Sequence, residues 1–141
     1  MQYITKKVYD SILNTIGKSP IESGGILGEK DGIICEFYFD EDAKHTKSNY
    51  IPNLSKLNKV IEEWQENGVQ FIGFAHSHPN EYNKPSLGDG LYAQKLLTCN
   101  PQLERLIFPI VIISLNNVQV FFYEFVNEFK PINVYVIGEN K

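Results

Sequence analysis

A chain of 141 residues with 43% apolar and 13% aromatic content is long enough for one hydrophobic core and too apolar to be disordered, which predicts a single domain over residues 1–141. Its formal charge of -4 comes from interspersed acidic and basic residues, so no basic patch stands ready to neutralise phosphates, and neither nucleic acid nor a membrane surface is an expected partner. No signal-peptide pattern occurs and no apolar run reaches the roughly 18 residues needed to cross a bilayer, which reads as a soluble, cytoplasmic protein.

Val8, Ile12, Leu13 and Ile16 recur at near-helical spacing behind Thr5, a candidate N-cap, and Gly17 marks a stop, so a first helix is placed over residues 5–15. Ser19-Pro20 breaks it. Glu22 falls just before Gly24-Gly25-Ile26-Leu27-Gly28, a strand whose glycines let another backbone or a ligand approach closely. Asp31-Gly32 is a two-residue turn signal that joins this strand as a hairpin to residues 33–39, an apolar run that carries Cys35. Cys35 and Cys99 have no disulfide framework around them and are expected to be reduced and structural. Residues 40–52 are polar and aperiodic, a candidate substrate-facing loop, and its His45 belongs to no ligand spacing. Leu54, Leu57, Val60, Ile61 and Trp64 then fall at helical spacing, with Glu62, Glu63 and Glu66 opposite and Gly68 as the stop. A strand follows from Val69, then a loop, then a helix over about residues 86–98 with Leu87, Leu91, Ala93, Leu96 and Leu97 expected inward. Asn100-Pro101 ends that helix, and strand-like runs at 106–115, 118–125 and 132–137 close the chain, with Asn116-Asn117 as the turn between the first two. This order predicts an α/β chain with a mixed sheet and helices packed on it.

The strand from Val69 carries the chemistry. Its apolar run Phe71-Ile72-Gly73-Phe74-Ala75 leads into His76-Ser77-His78 and stops at Pro79, and in an extended strand residues two apart share a face. Asp89 comes eleven residues after His78, behind Ser86, so one loop can return a carboxylate to the histidine pair. Two neutral nitrogen donors and one carboxylate oxygen make the protein shell of a catalytic zinc, whose remaining position goes to water. Each piece alone has a plainer explanation: alternating histidines occur as surface or hydrogen-bonded residues, and Ser86-x-x-Asp89 has the form of a helix capping box. The pieces in order, with glycines at 88 and 90 that cost a structural helix about 1 kcal/mol each relative to alanine, point to a metal.

Glu22, His76-Ser77-His78-Pro79, the six residues to Ser86, and Asp89 together resemble the signature of the JAB1/MPN/Mov34 metalloenzymes, the JAMM or MPN-plus family, in its single-domain bacterial and archaeal form. The resemblance implies a central curved mixed sheet flanked by helices, related to the cytidine deaminase architecture. The deaminase signature itself is absent, with neither His-x-Glu nor Pro-Cys-x-x-Cys in the chain. It further implies one zinc per chain held by His76, His78 and Asp89, with Glu22 moving the proton from water to the leaving amine and the Ser86 hydroxyl donating to the carbonyl oxygen. The implied reaction is hydrolysis of an amide or isopeptide bond after the C-terminal glycine of a ubiquitin-like protein, bound in extended form. Three other readings remain in play. A noncatalytic MPN scaffold typically lacks a ligand, and none is missing here. An iron oxygenase shares two histidines and a carboxylate but leaves Glu22 and Ser86 without roles. An amidase acting on a small molecule or short peptide would use the same ligands.

Overall fold

Among the described residues eight strands form one mixed sheet, in the order Val134–Ile137, Gln2–Thr5, Ile33–Phe39, Gly24–Lys30, Gln70–Ser77, Leu106–Ser114, Asn117–Phe125 and Phe129–Pro131, and Lys44–His45 with Tyr50–Ile51 forms a separate ribbon. The computed structural model describes residues 2–19, 21–41, 43–45, 50–78, 82–115 and 117–138, with the backbone alone at 44, 45, 50 and 51. In chain order the elements are β1 (Gln2–Thr5), α1 (Lys6–Asn14), a 3-10 turn (Ile16–Lys18), β2 (Gly24–Lys30), β3 (Ile33–Phe39), β4 (Lys44–His45) and β5 (Tyr50–Ile51). There follow α2 (Leu54–Glu66), β6 (Gln70–Ser77), α3 (Leu87–Cys99), β7 (Leu106–Ser114), β8 (Asn117–Phe125), β9 (Phe129–Pro131) and β10 (Val134–Ile137). The expected α/β class with a mixed sheet holds: β6 runs parallel to β7 and β1 parallel to β3 and β10, while the β2–β3, β2–β6, β7–β8 and β8–β9 pairs are antiparallel.

Local chemistry explains most boundaries. Thr5 caps α1, its Oγ1 accepting the Val8 N–H at 3.2 Å. The helix ends before the expected Gly17 stop because Thr15 turns back, its N–H and hydroxyl both donating to the Ser11 carbonyl at 3.0 and 2.7 Å. Gly17 instead lies buried in the 3-10 turn beside Ile16, which is fully buried in the core. Asp31 and Gly32 both take positive φ, 55° and 80°, the pair of angles a two-residue hairpin turn of the primed type requires. Asn53 caps α2 through Lys56 N–H, and Gly68 ends it at φ 75°.

Gly25 of β2 and Gly73 of β6 serve backbone approach, and Gly28 of β2 makes room for the Val69 and Trp64 side chains. A Cβ on Gly25 would collide with the Tyr38 carbonyl oxygen, and one on Gly73 with the Ile107 carbonyl oxygen of β7. Ile26 and Leu27 of β2, Phe74 and Ala75 of β6, and Leu106, Ile107 and Val111 of β7 then bury against α1 and α3 residues such as Ile12 and Ala93. Burial of this apolar surface is the main term holding the sheet to its helices.

Several expectations are corrected. Leu87 and Leu91 face solvent, at 84% and 68% exposure, as does Leu54 at 59%. The stripe of α3 that meets the sheet is Asp89, Ala93 and Leu96, spaced by four and three residues, and Leu87 and Leu91 lie across the helix from it. Short strands β1 and β9 were not foreseen, and the loop expected over 40–52 contains the β4-β5 ribbon. Cys35 and Cys99 are free thiols, but Cys99 is exposed and packs into no core; burial first, and then the Glu36 charge, push the Cys35 thiol up. Pro20, Pro79, Asn80, Glu81 and Asn116, each part of an expected break, loop or turn, lie outside the described residues, as does the side chain of His45. No helix among the described residues is long and apolar enough to cross a membrane.

Candidate metal centre

The site is built at the end of β6, where two neighbours hold the strand to its last residue. On one side β2 pairs Gly24 with His76, and the ladder continues as Ser77 N–H donates to the Ser23 carbonyl at 3.0 Å and Ser23 N–H to Ser77 Oγ at 3.1 Å. Glu22 directly precedes Ser23 of this ladder, and its charge bears on His78. On the other side β7 pairs Ile110 with His76 and takes the His78 N–H on the Val111 carbonyl at 3.2 Å. His76 and His78 therefore project from one face of a strand that is fixed on both edges. Phe108 of β7 stands edge-on to the His76 ring, 5.0 Å between centroids at 75°, and forms a floor beneath it.

Asp89 arrives from α3. Ser86 Oγ accepts the Asp89 N–H at 3.1 Å while Asp89 Oδ2 accepts the Ser86 N–H at 2.8 Å, a complete capping box. The plain explanation of Ser86-x-x-Asp89 is thus correct, and the same carboxylate also meets both histidines. Asp89 Oδ1 lies 3.1 Å from His76 Nε2, Asp89 Oδ2 lies 2.9 Å from His78 Nε2, and the two Nε2 atoms are 2.9 Å apart.

The protonation pattern of this cluster is constrained. His78 Nδ1 sits 3.0 Å from the Tyr82 carbonyl oxygen, which only accepts, so Nδ1 carries a proton and Nε2 points inward, a donor to Asp89 in the charged ring and a bare lone pair in the neutral one. With both rings neutral, two imidazole nitrogens and a carboxylate converge as a donor set able to hold a cation between them. His76 Nδ1 is buried without a hydrogen-bond partner among the described residues, which leaves Nε2 as the ring's working atom. Burial would raise the Asp89 carboxyl, but hydrogen bonds from His76 and His78 outweigh it and hold the group far below the usual carboxylate range. Burial likewise opposes charge on His78, yet the Asp89 hydrogen bond and charge, with help from the Tyr82 carbonyl and Glu22, raise it. His76, His78 and Asp89 are a group able to hold a metal ion, with ligand atoms all within 4.8 Å of one another.

Among the residues expected from the sequence, the structure brings these three together and sets Ser86 and Glu22 beside them. Ser86 is exposed at the mouth, its hydroxyl oxygen occupied by the Asp89 N–H and its hydrogen free to donate. Glu22 is half-buried and makes no hydrogen bond to the three, although its charge bears on His78. Tyr82 was not anticipated: its carbonyl sets the His78 tautomer and its ring stacks on the His78 ring, 5.8 Å apart at 12°. No spacing signals it, because the contact is made by a backbone atom.

Fold and site together define an α/β protein of the JAB1/MPN fold carrying a three-residue candidate metal centre. Many solved structures are similar to it. The solution structure of protein DSY2949 from Desulfitobacterium hafniense superposes with a TM-score of 0.74 at 17% identity, covering 99% of this chain and 94% of that one. AF2198 from Archaeoglobus fulgidus, a JAB1/MPN domain protein, superposes with a TM-score of 0.55 at 16% identity, covering 97% of each chain. At these identities the likeness is one of fold. No family model matches the sequence, and neither does any curated protein.

Proposed function

We propose that the chain is a zinc-dependent metallohydrolase of the JAMM type that cleaves an amide bond after the C-terminal glycine of a ubiquitin-like protein. The observation that carries this reading is the convergence of two histidine Nε2 atoms and a carboxylate within 3.1 Å, with one ring committed by its other nitrogen to a carbonyl. Neutral imidazoles with a carboxylate and no thiolate are a donor set that suits zinc.

His76, His78 and Asp89 would hold the ion. When bound, zinc supplies Lewis acidity that lowers the pKa of a coordinated water from about 16 towards about 7. Glu22, whose charge is felt by His78 and which is uncommitted to the three ligands, takes a proton from the attacking water and returns it to the leaving amine. The Ser86 hydroxyl, held at the mouth by its capping role, donates to the carbonyl oxygen as negative charge grows there. A protein substrate is supported by apolar side chains left in solvent beside this opening, Ile21 next to Glu22 and Tyr82 on His78. A tail ending in glycines suits the opening because it brings no side chains to the reacting bond. β6 has β2 and β7 on its two sides, so the tail cannot add to β6 itself and crosses the strand end instead.

Purified protein is expected to contain close to one zinc per chain, lost in His78→Ala and in Asp89→Ala. Ubiquitin-like fusions and isopeptide conjugates should be cleaved after their terminal glycine and protected by a chelator. Stoichiometric iron, or full zinc in both variants, removes the zinc centre. Chelator-sensitive turnover confined to short peptides and simple amides replaces the protein substrate with a small one.

A further inference from the structure

We infer that Tyr123 is a positioning residue for the metal centre, acting on His78 through the backbone of Tyr82 and Asn83. The inference rests on reading His76, His78 and Asp89 as a zinc site. Tyr123 lies on β8 directly across from Phe108 of β7, so both side chains stand on the face that bears His76. Its hydroxyl donates to the Asn83 carbonyl oxygen at 2.7 Å, a contact spanning forty residues of sequence. The preceding carbonyl, that of Tyr82, is the acceptor that fixes the His78 Nδ1 proton. The two carbonyls belong to successive peptide units that meet at the Asn83 Cα, one held by His78 and the next by Tyr123. Each unit is planar, so with the Asn83 carbonyl anchored the Tyr82 carbonyl can leave the imidazole only by rotation at the two backbone dihedrals of Asn83 or by movement of the chain before it.

The anchor is itself rigid. The Tyr123 ring packs edge-on against Phe129, 6.4 Å between centroids at 83°, and its backbone is paired on both sides, to Phe108 and to Pro131. Among the described residues the one hydrogen bond of that hydroxyl is to the segment that carries the ligand's orienting carbonyl, the outer layer that sets ring orientation and ligand basicity in histidine metal sites.

Removing the hydroxyl while keeping the ring tests the assignment without using turnover. Zinc affinity is measured by chelator competition for wild type, Tyr123→Phe, and Tyr9→Phe, which loses the same group from α1; thermal unfolding of each metal-free protein is measured alongside. The expected result is a zinc dissociation constant about tenfold weaker in Tyr123→Phe, the lower end of what outer-layer substitutions cost. Tyr9→Phe binds as wild type, and the metal-free melting temperatures stay close together. Equal zinc affinity in Tyr123→Phe and wild type overturns the positioning role and leaves the zinc centre standing. A Tyr123→Phe protein that melts earlier without metal yet binds zinc unchanged assigns the hydroxyl to the fold and likewise overturns it. Wild type that takes up no zinc removes the centre, and this inference with it.

Discussion

Alanine at Gly90 and at Gly73 should move stability in opposite directions. Gly90 lies in the first turns of α3, where its N–H already reaches the Ser86 carbonyl at 3.2 Å, and an added Cβ would meet only the Phe129 ring edge at 3.8 Å, an ordinary contact. The substitution therefore removes backbone freedom from the unfolded chain with no steric penalty, a gain of about 0.5–1 kcal/mol. For a chain of this size that raises the melting temperature by about 2–3 °C. At Gly73 the new Cβ would overlap the Ile107 carbonyl oxygen, which belongs to the β6–β7 ladder and has no side-chain freedom with which to yield. The strands must part, and overpacking of that kind costs about 1–3 kcal/mol, more than the gain of about 0.4–1 kcal/mol from the unfolded state. The midpoint should fall by roughly 3–6 °C. Urea or thermal unfolding of the metal-free variants, at matched concentration and with unchanged denaturant slope, reads both effects. A Gly90→Ala protein less stable than wild type, or a Gly73→Ala protein as stable, refutes the packing described for these two positions. If Gly90→Ala is more stable yet cleaves its substrate more slowly, the glycine is kept for what approaches α3 rather than for the helix.

Glu22→Gln should retain zinc and its melting temperature while turnover falls by roughly 10²-fold or more, measured as metal content against initial rate; an undiminished rate makes Glu22 a bystander. Ser86→Ala should lose about 1 kcal/mol with its cap, read by unfolding, and roughly 10²-fold in rate with its donated hydrogen bond. Arg105 joins Gln2 of β1, Glu29 of β2 and Glu124 of β8 at 2.9, 3.2 and 3.3 Å, but its side chain is 30% exposed. Arg105→Ala should therefore cost only about 1 kcal/mol, and the difference from wild type should narrow in high salt.

What could be read in the sequence was whatever local chemistry enforces. Asp31-Gly32 needs two positive φ angles and gave its hairpin; Thr5 capped the helix it precedes; the two-residue period of His76 and His78 gave a shared face. What could not be read depended on distant partners. Gln2–Thr5 is too short to declare itself and is a strand only because β3 and β10 lie parallel on either side of it. Leu87 and Leu91 look like core residues until Asp89 takes the inward stripe of α3 and turns them to solvent. The candidate ligands themselves were legible because they fall within fourteen residues of one another, whereas Tyr82 enters through a main-chain oxygen and Tyr123 from β8.

Asp89 Oδ2 accepts the Ser86 N–H and faces His78 Nε2 at the same time. With an ion on Asp89, fraying of the first turn of α3 would withdraw a ligand and the ion would hold the turn closed, so the two would open together. Occupancy should then be visible far from any reaction, as slowed amide exchange at residues 86–90 when metal is present. An ion held this way is a clasp on the start of a helix, and its residence time is bounded by how often that helix lets go.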